Sequence, residues 1–331
     1  MLKDKLNILS RLAVVTPTGA TTHQEADFGL LLEPKLRKVF YETYDEVPEQ
    51  YSKVFNIDSS KKAQETDFHL GAMSEWEEFG QAIPGKTADV DNMPTVKYSK
   101  INPADTIVYT HKEFAKGFMV ERKFMDDEKY KVIEKMTKDL ARAGRYKVES
   151  DAAKVFDNAF TVNGYDGVPL ISATHKLANS AKECSNIVYG ALSDTALKEA
   201  LTLGRRQVDE AGKIIQMKFD TLVVSPKNEF LAHELIKSTN KTGGDLNDIN
   251  VLKDRFKIVV MDFVTKDDAW FIMDSSRHQL QFFWRVKPEF GKEKDFDSYV
   301  TKYSGYMRYS YGYSDFRGII GSDGVTAKPG V

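Results

Sequence analysis

The stretch from Asp126 to Phe160 reads as a single helix, and a helix of that length constrains everything placed around it. Tyr130, Ile133, Met136, Leu140 and Ala143 recur at helical spacing, and Val148, Ala152, Val155, Phe156 and Ala159 continue the stripe after a small phase slip. No proline interrupts it. Asp126, Asp127 and Glu128 crowd the expected first turn, where free backbone N–H groups and the macrodipole favour negative charge, and Asn163-Gly164 supplies a stop. At ~1.5 Å per residue such a stretch makes a rod of about 50 Å, against the ~30 Å width of a small domain, and so implies an extended molecule. The alternative is two ordinary helices that break near Gly144.

The chain has 331 residues, beyond the size at which single cores usually divide, so two lobes are expected. A formal net charge of −2 argues against a dedicated, strongly basic nucleic-acid binder. Cys184 is the only cysteine, which excludes an intrachain disulfide and a thiolate metal cluster and fits a reducing compartment. Arg11 interrupts the apolar N-terminus and no segment reaches the ~18 apolar residues of a membrane span, so neither a secretory signal nor a membrane anchor is expected.

Residues 1–32 read as an arm in which Leu2, Leu6, Leu9 and Ala13 suit a short amphipathic helix; alone it should be disordered, and a neighbouring subunit is expected to hold it. Glu33-Pro34 opens a short helix through Tyr44. From Ile57 to Ile101 the hydrophobes scatter among glycines and prolines, the pattern of a long protruding hairpin. That hairpin is acidic, with Glu65, Asp67, Glu75, Glu77, Glu78, Asp89 and Asp91 against Lys61, Lys62 and Lys86. The middle of the long helix is basic, with Lys129, Lys131, Lys135, Lys138, Arg142, Arg145 and Lys147 against Glu134 and Asp139. The two could meet between subunits, or each could be a separately solvated face.

Thr106 to Phe124 reads as strands leading into the rod, Gly164 to Asn186 as a loop-rich connector, and Asp194 to Val208 as a second amphipathic helix with Asp194 placed to cap or precap it. Leu222-Val223-Val224 is a buried strand followed by a helix from Glu229 to Ser238, and Ile258 to Met261 and Trp270 to Met273 are further strands. Tyr299 to Tyr313 alternates, with Tyr299, Thr301, Tyr303, Met307, Tyr309, Tyr311 and Tyr313 on one face. Core packing explains this ladder better than base stacking, because no lysine-rich groove accompanies it.

The sharpest chemical motif is GQAIPGKT, Gly80 to Thr87, which matches the phosphate-binding pattern G-x-x-x-x-G-K-[ST]. Its physics needs a buried strand before and a helix after, yet MSEWEEF precedes it and Asp89, Asp91, Asn92 and Pro94 follow, so a nucleotide site is not expected. The six histidines show no metal spacing. His175 and Cys184 could be imagined as base and nucleophile, but a structural histidine is the simpler reading. Gly318, Gly321 and Gly324 open no helix and read as a flexible tail.

Taken in order, MVERKFMDD (Met119 to Asp127), YDGVPLISATHK (Tyr165 to Lys176), FDTLVVSPKNEFLAHELIKS (Phe219 to Ser238) and YSYGYSDFRGIIGS (Tyr309 to Ser322) resemble the major capsid protein of tailed bacteriophages. The resemblance points to the branch that includes Mu-like head subunits. It implies an α+β chain of the HK-97 fold: an arm (1–32), a short helix and connector (33–63), an E-loop (64–93), and a peripheral domain (94–163 and 278–321) built on a spine helix at 126–160. An axial domain (164–277) and a tail (322–331) complete it. It further implies self-assembly into hexamers and pentamers of an icosahedral head enclosing double-stranded DNA, with scaffolding, portal and decoration proteins as partners. No enzyme activity, cofactor or membrane contact is implied. The short arm suggests a separate scaffolding protein. Lys86 lies where some relatives crosslink through a lysine, but the partner asparagine and assisting glutamate have no match. Expected assembly contacts are Leu2, Leu6, Leu9, Trp76, Phe79, Lys86, Lys135, Arg142 and Arg145. A nanocompartment shell of the same fold is the alternative.

Overall fold

The computed structural model describes residues 25–70, 103–127, 129–177, 180–210, 212–240 and 249–325. Its rod, α3 (Tyr130–Asp157), is continuous through Gly144, so the two-helix alternative fails. The rod starts later than the acidic cluster suggests: Asp126 closes a separate short helix, α2 (Arg122–Asp126), and Asp127 lies in the turn between them. Gly144 marks an approach instead of a break, because a Cβ there would sit 3.6 Å from the Tyr44 ring. That ring belongs to α1 (Glu25–Glu46), which packs along the rod. The expected start at Glu33-Pro34 is corrected: Pro34 lies within α1, on its exposed side, where a lost backbone bond is exchanged for water.

Behind the rod stands a four-stranded sheet in the order β1 (Asn56–Ser59), β10 (Leu280–Lys294), β11 (Val300–Tyr313), β4 (Lys112–Glu121). β1 runs parallel to β10, and the other neighbours are antiparallel. Alternation sends Phe282, Trp284, Tyr303, Met307 and Tyr309 towards the helices, where Tyr309 stacks on Phe114 and Tyr303 on Phe118. The ladder is core, as its composition suggested. Tyr299 is the exception: it sits before β11 at φ 53°, half exposed, in the turn from β10.

A second sheet, β12 (Ile319–Ser322), β9 (Trp270–Met273), β7 (Thr221–Val224), β8 (Lys257–Val260), packs against α4 (Asp194–Arg205) and α5 (Glu229–Lys237). Ser193, not Asp194, caps α4, accepting from the Ala196 N–H. β12 corrects the flexible-tail reading of Gly318 and Gly321. It pairs with β9, and Gly321 passes so close to Phe271 that a Cβ would fall 2.5 Å from that ring.

One core joins the two sheets. Val148, Ala152, Val155 and Phe156 from the far half of α3 meet Phe282 and Tyr309 on one side and Val223, Val259 and Phe271 on the other. The near half buries Ile133, Leu140 and Ala141 against Leu36, Phe40 and Tyr44 of α1. Polar locks fix the arrangement. Asp151 on the rod accepts from the Tyr309 hydroxyl (2.9 Å), and Glu149 accepts from the backbone N–H groups of Gln50 (3.1 Å) and Tyr51 (3.0 Å). Burial pushes the Glu149 carboxyl up from its ordinary range.

Candidate assembly surfaces

β2 (Gln64–Leu70) and β3 (Pro103–Thr110) form an antiparallel ribbon, registered from Gln64 opposite Thr110 to Leu70 opposite Pro103. The return strand of the hairpin is therefore β3, which the sequence had joined to the strands entering the rod. Among the described residues β2 and β3 pair only with each other. The ribbon is pinned at its base. His111 bridges the Ser60 hydroxyl (3.1 Å) and the Ser310 hydroxyl (2.9 Å), while Ser60 also donates to Glu65 (2.6 Å). Burial and the neighbouring Arg308 and Arg285 charges hold His111 below its ordinary pKa, so a neutral ring donates on one side and accepts on the other. Tyr109 packs on Phe283 at 5.2 Å over Gly312, where a Cβ would lie 2.9 Å from the Tyr109 ring.

On the helix side of the sheet lies a groove of about 670 Å³ lined by residues of α1, α3, β4 and β11. Phe40, Tyr44, Phe114, Leu140 and Met307 make it apolar, and Lys116, Arg142 and Glu113 rim it. β10 breaks register twice between Trp284 and Glu289, and Pro288 of that bulge also lines the groove.

Of the expected contact residues, Lys135 and Arg142 are exposed on the rod. Arg145 turns inward. It is 5% exposed, its guanidinium lies 4.2 Å from the Tyr44 ring centroid, and its Nε donates to the Tyr44 carbonyl (3.3 Å), so it serves its own subunit. Leu2, Leu6, Leu9, Trp76, Phe79 and Lys86 lie outside the described residues, as does the motif at 80–87. Local neutralisation thins the basic stripe, since Glu134 takes Lys35 (3.2 Å) and Lys138 (3.4 Å). The groove was not legible beforehand; its signal was the set of small residues Ala115, Ala143, Gly144 and Gly305.

His175 and Cys184 face each other in the pair β5 (His175–Leu177) and β6 (Ser180–Cys184), but not as base and nucleophile. His175 Nδ1 meets Asp166 at 2.6 Å and Nε2 meets Asn186 at 3.1 Å, while the Cys184 thiol, pushed up in pKa by burial, donates to Gln207 (3.1 Å). Among the described residues no three His, Cys, Asp or Glu side chains are grouped to hold a metal ion, and no helix is long and apolar enough to cross a membrane.

The site is thus a ribbon that pairs only with itself among the described residues, a groove on the helix side of the sheet, and a long rod beside both. The sequence matches a family described as phage capsid protein over residues 104–322, well over half its length. The chain belongs to the phage capsid protein family. No curated protein matches this capsid protein. Among solved structures, the virus-like particle from Pyrococcus furiosus superposes with a TM-score of 0.51 at 11% identity, over 87% of this chain and 98% of that one. Mycobacterium phage Adephagia gives 0.50 at 16% identity, over 85% and 91%. The capsid of an empty GTA particle gives 0.50 at 11% identity, over 98% of each chain. At such identities the likeness is one of fold, and the fold is the mixed α and β architecture of HK-97-type capsid proteins. The family is structural, not enzymatic.

Proposed function

We propose that this capsid protein tiles an icosahedral phage head as rings of five and six around double-stranded DNA, in the branch that includes Mu-like head subunits. The observation that carries the reading is the β2–β3 ribbon, which leaves the subunit with self-pairing alone among the described residues, in a chain whose family is built for shells. A two-stranded ribbon by itself is marginal in water, and a neighbour's surface would complete it. Residues 64–93 would supply the E-loop. The first sheet and the rod would make the peripheral domain, and the second sheet with α4 and α5 the axial domain at the ring centre. Leu2, Leu6, Leu9, Trp76, Phe79, Lys86, Lys135 and Arg142 would contribute contacts.

Affinity in such a lattice comes from many modest contacts summed over a closed surface, so no single patch need be strong. Scaffolding, portal and decoration proteins would be the other partners. DNA contact would be nonspecific, and a net charge of −2 suits a wall that lets packed DNA leave again. The purified protein, alone or with a scaffolding partner, should give closed particles of uniform diameter under negative-stain microscopy. Particles that enclose a protein cargo and refuse DNA would favour the nanocompartment. A compact monomer under all conditions would refute both.

A further inference from the structure

Folding of one chain leaves a cationic cleft between the last turn of α4, the segment 216–219 and the turn 250–255 before β8. A cavity of about 470 Å³ there is lined by Leu201, Met217 and Phe219 together with Arg205, Lys218 and Arg255, and a second of about 280 Å³ shares Leu201 and both arginines. Local packing builds the walls. Gly204 lacks the Cβ that would collide with the Phe219 ring, so the buried ring lies against the end of α4 and makes a floor with Leu201. Asn250, 8% exposed, fixes the turn: it donates to the carbonyls of Leu235 (2.7 Å) and Ser238 (3.0 Å) and accepts from the Leu252 N–H (2.9 Å), which sets Arg255 beside the cleft. The charge is what the fold leaves unanswered. Among the described residues no acid lines either cavity, and the acids close by in sequence are taken, Asp194 by Lys198 (2.7 Å) and Asp254 by Lys237 (2.7 Å). Arg205, Lys218 and Arg255 are exposed and make no ion pair among the described residues. The α4 dipole favours one cation at its C-terminal end, Arg205, but Lys218 and Arg255 come from other elements and owe nothing to it.

Cations from three elements around one apolar floor describe a ligand. It carries more than one negative charge, offers acceptor oxygens in more than one direction, and has an uncharged body. A carboxylate presents two oxygens and a single charge, whereas a phosphate monoester presents three oxygens and about −1.5 to −2 charges, and the planar fork of arginine suits it. The larger cavity falls within the roughly 300–1,000 Å³ of clefts that hold small organic ligands, so the phosphate arrives with a body attached. We infer that this cleft binds an organic phosphate. Its phosphoryl oxygens take the N–H groups of Arg205 and Arg255, Lys218 balances the remaining charge, and the body rests on Leu201, Met217 and Phe219. Two sources share that chemistry, a free nucleotide and a phosphate of packaged DNA. The inference goes beyond the shell reading and does not rest on it, since one subunit supplies the whole cleft.

The test is calorimetric titration of the full-length, unassembled subunit with ATP in the absence of divalent metal. ATP should bind, and Arg205→Ala and Arg255→Ala should each weaken it by about tenfold or more, the usual loss when a charge-assisted hydrogen bond is removed. Both side chains are exposed, so the variants should keep the circular dichroism spectrum of the parent. Arg206→Ala, exposed on the same stretch but lining neither cavity, should leave affinity unchanged, which separates a site from general attraction to positive surface. Inorganic pyrophosphate, which has no body for the floor, should bind more weakly than ATP. A blunt DNA duplex that competes with ATP would uphold the cleft with the genome as its source; a duplex that does not compete would uphold it with a free nucleotide. Absence of ATP binding at millimolar concentration, equal weakening by Arg206→Ala, pyrophosphate as tight as ATP, or full affinity in the Arg205→Ala, Arg255→Ala double variant overturns the assignment. So does loss of binding in Lys86→Ala with the arginine variants unaffected, which would move the site to the motif at 80–87. None of these outcomes bears on the shell reading, which particle formation tests separately.

Discussion

Replacing Asp151 with alanine should loosen the rod from the sheet by an amount the contacts allow to be worked out. Asp151 is 2% exposed and Tyr309, its partner on β11, 1%. The variant leaves the Tyr309 hydroxyl buried and unpaired, worth about 1–3 kcal/mol. Lys147 (2.8 Å) and Lys154 (2.7 Å) also donate to Asp151, but both ammonium groups stay partly in water, so each adds only a few tenths of a kcal/mol. The expected loss for Asp151→Ala is about 2–3 kcal/mol, and for Asp151→Asn, which still accepts from Tyr309, about 1 kcal/mol. Burial works to raise the carboxyl pKa, yet the bonds from Lys147, Lys154 and Tyr309 outweigh it and hold the group below its ordinary value. A depressed carboxyl stabilises the fold above its unfolded pKa of ~3.9 and loses that contribution as pH falls through the lower folded value. Urea unfolding of the unassembled subunit at pH 7 and at successively lower pH should therefore show the gap between wild type and Asp151→Asn closing below about pH 4. An alanine variant within about 0.5 kcal/mol of wild type at pH 7 would refute the claim that this bond couples rod to sheet.

Two other substitutions test neighbouring joints. Gly312→Leu would drive a side chain into Tyr109, so the ribbon must lift from the sheet; amide exchange over 103–110 should quicken and stability fall by about 1–3 kcal/mol, and unchanged exchange would contradict the close approach. Glu149→Gln keeps one acceptor for the Gln50 and Tyr51 N–H groups where two are needed, costing about 1–2 kcal/mol in urea unfolding. Because burial raises the Glu149 pKa, its contribution is fully present below the unfolded value and is lost as pH rises through the folded one. The gap to the variant should thus narrow on going to neutral pH.

The elements legible in the sequence were those whose pattern and partners are local. β9 falls at Trp270–Met273 as read, and β7 and β8 lie within a residue of expectation, because each carries a continuous apolar run, fully buried in β7 and β9 and partly buried in β8. The rod was legible from its stripe, but its start was not: Asp126 and Asp127 suit the beginning of a helix as well as the end of α2 and the turn after it. β10 escaped notice because Pro288 interrupts its alternation, and the strand absorbs the proline in a bulge that only the partner strand β11 reveals. β1, exposed at every position, carries no pattern at all and exists because β10 offers it a parallel edge. For the contact surfaces, charge showed that Lys135 and Arg142 could face outward. It could not show that Arg145, one turn further, is spent on Tyr44, since that depends on how α1 crosses the rod.

The central claim is that the subunit is unfinished until copies of it close around one another. Sedimentation of the purified protein over rising concentration tests it most directly. Capsomer-sized species should give way to closed particles of many subunits, with residues 71–102 gaining protease resistance as they form. A chain that sediments as a single compact subunit at every concentration, with those residues equally protected throughout, would contradict it.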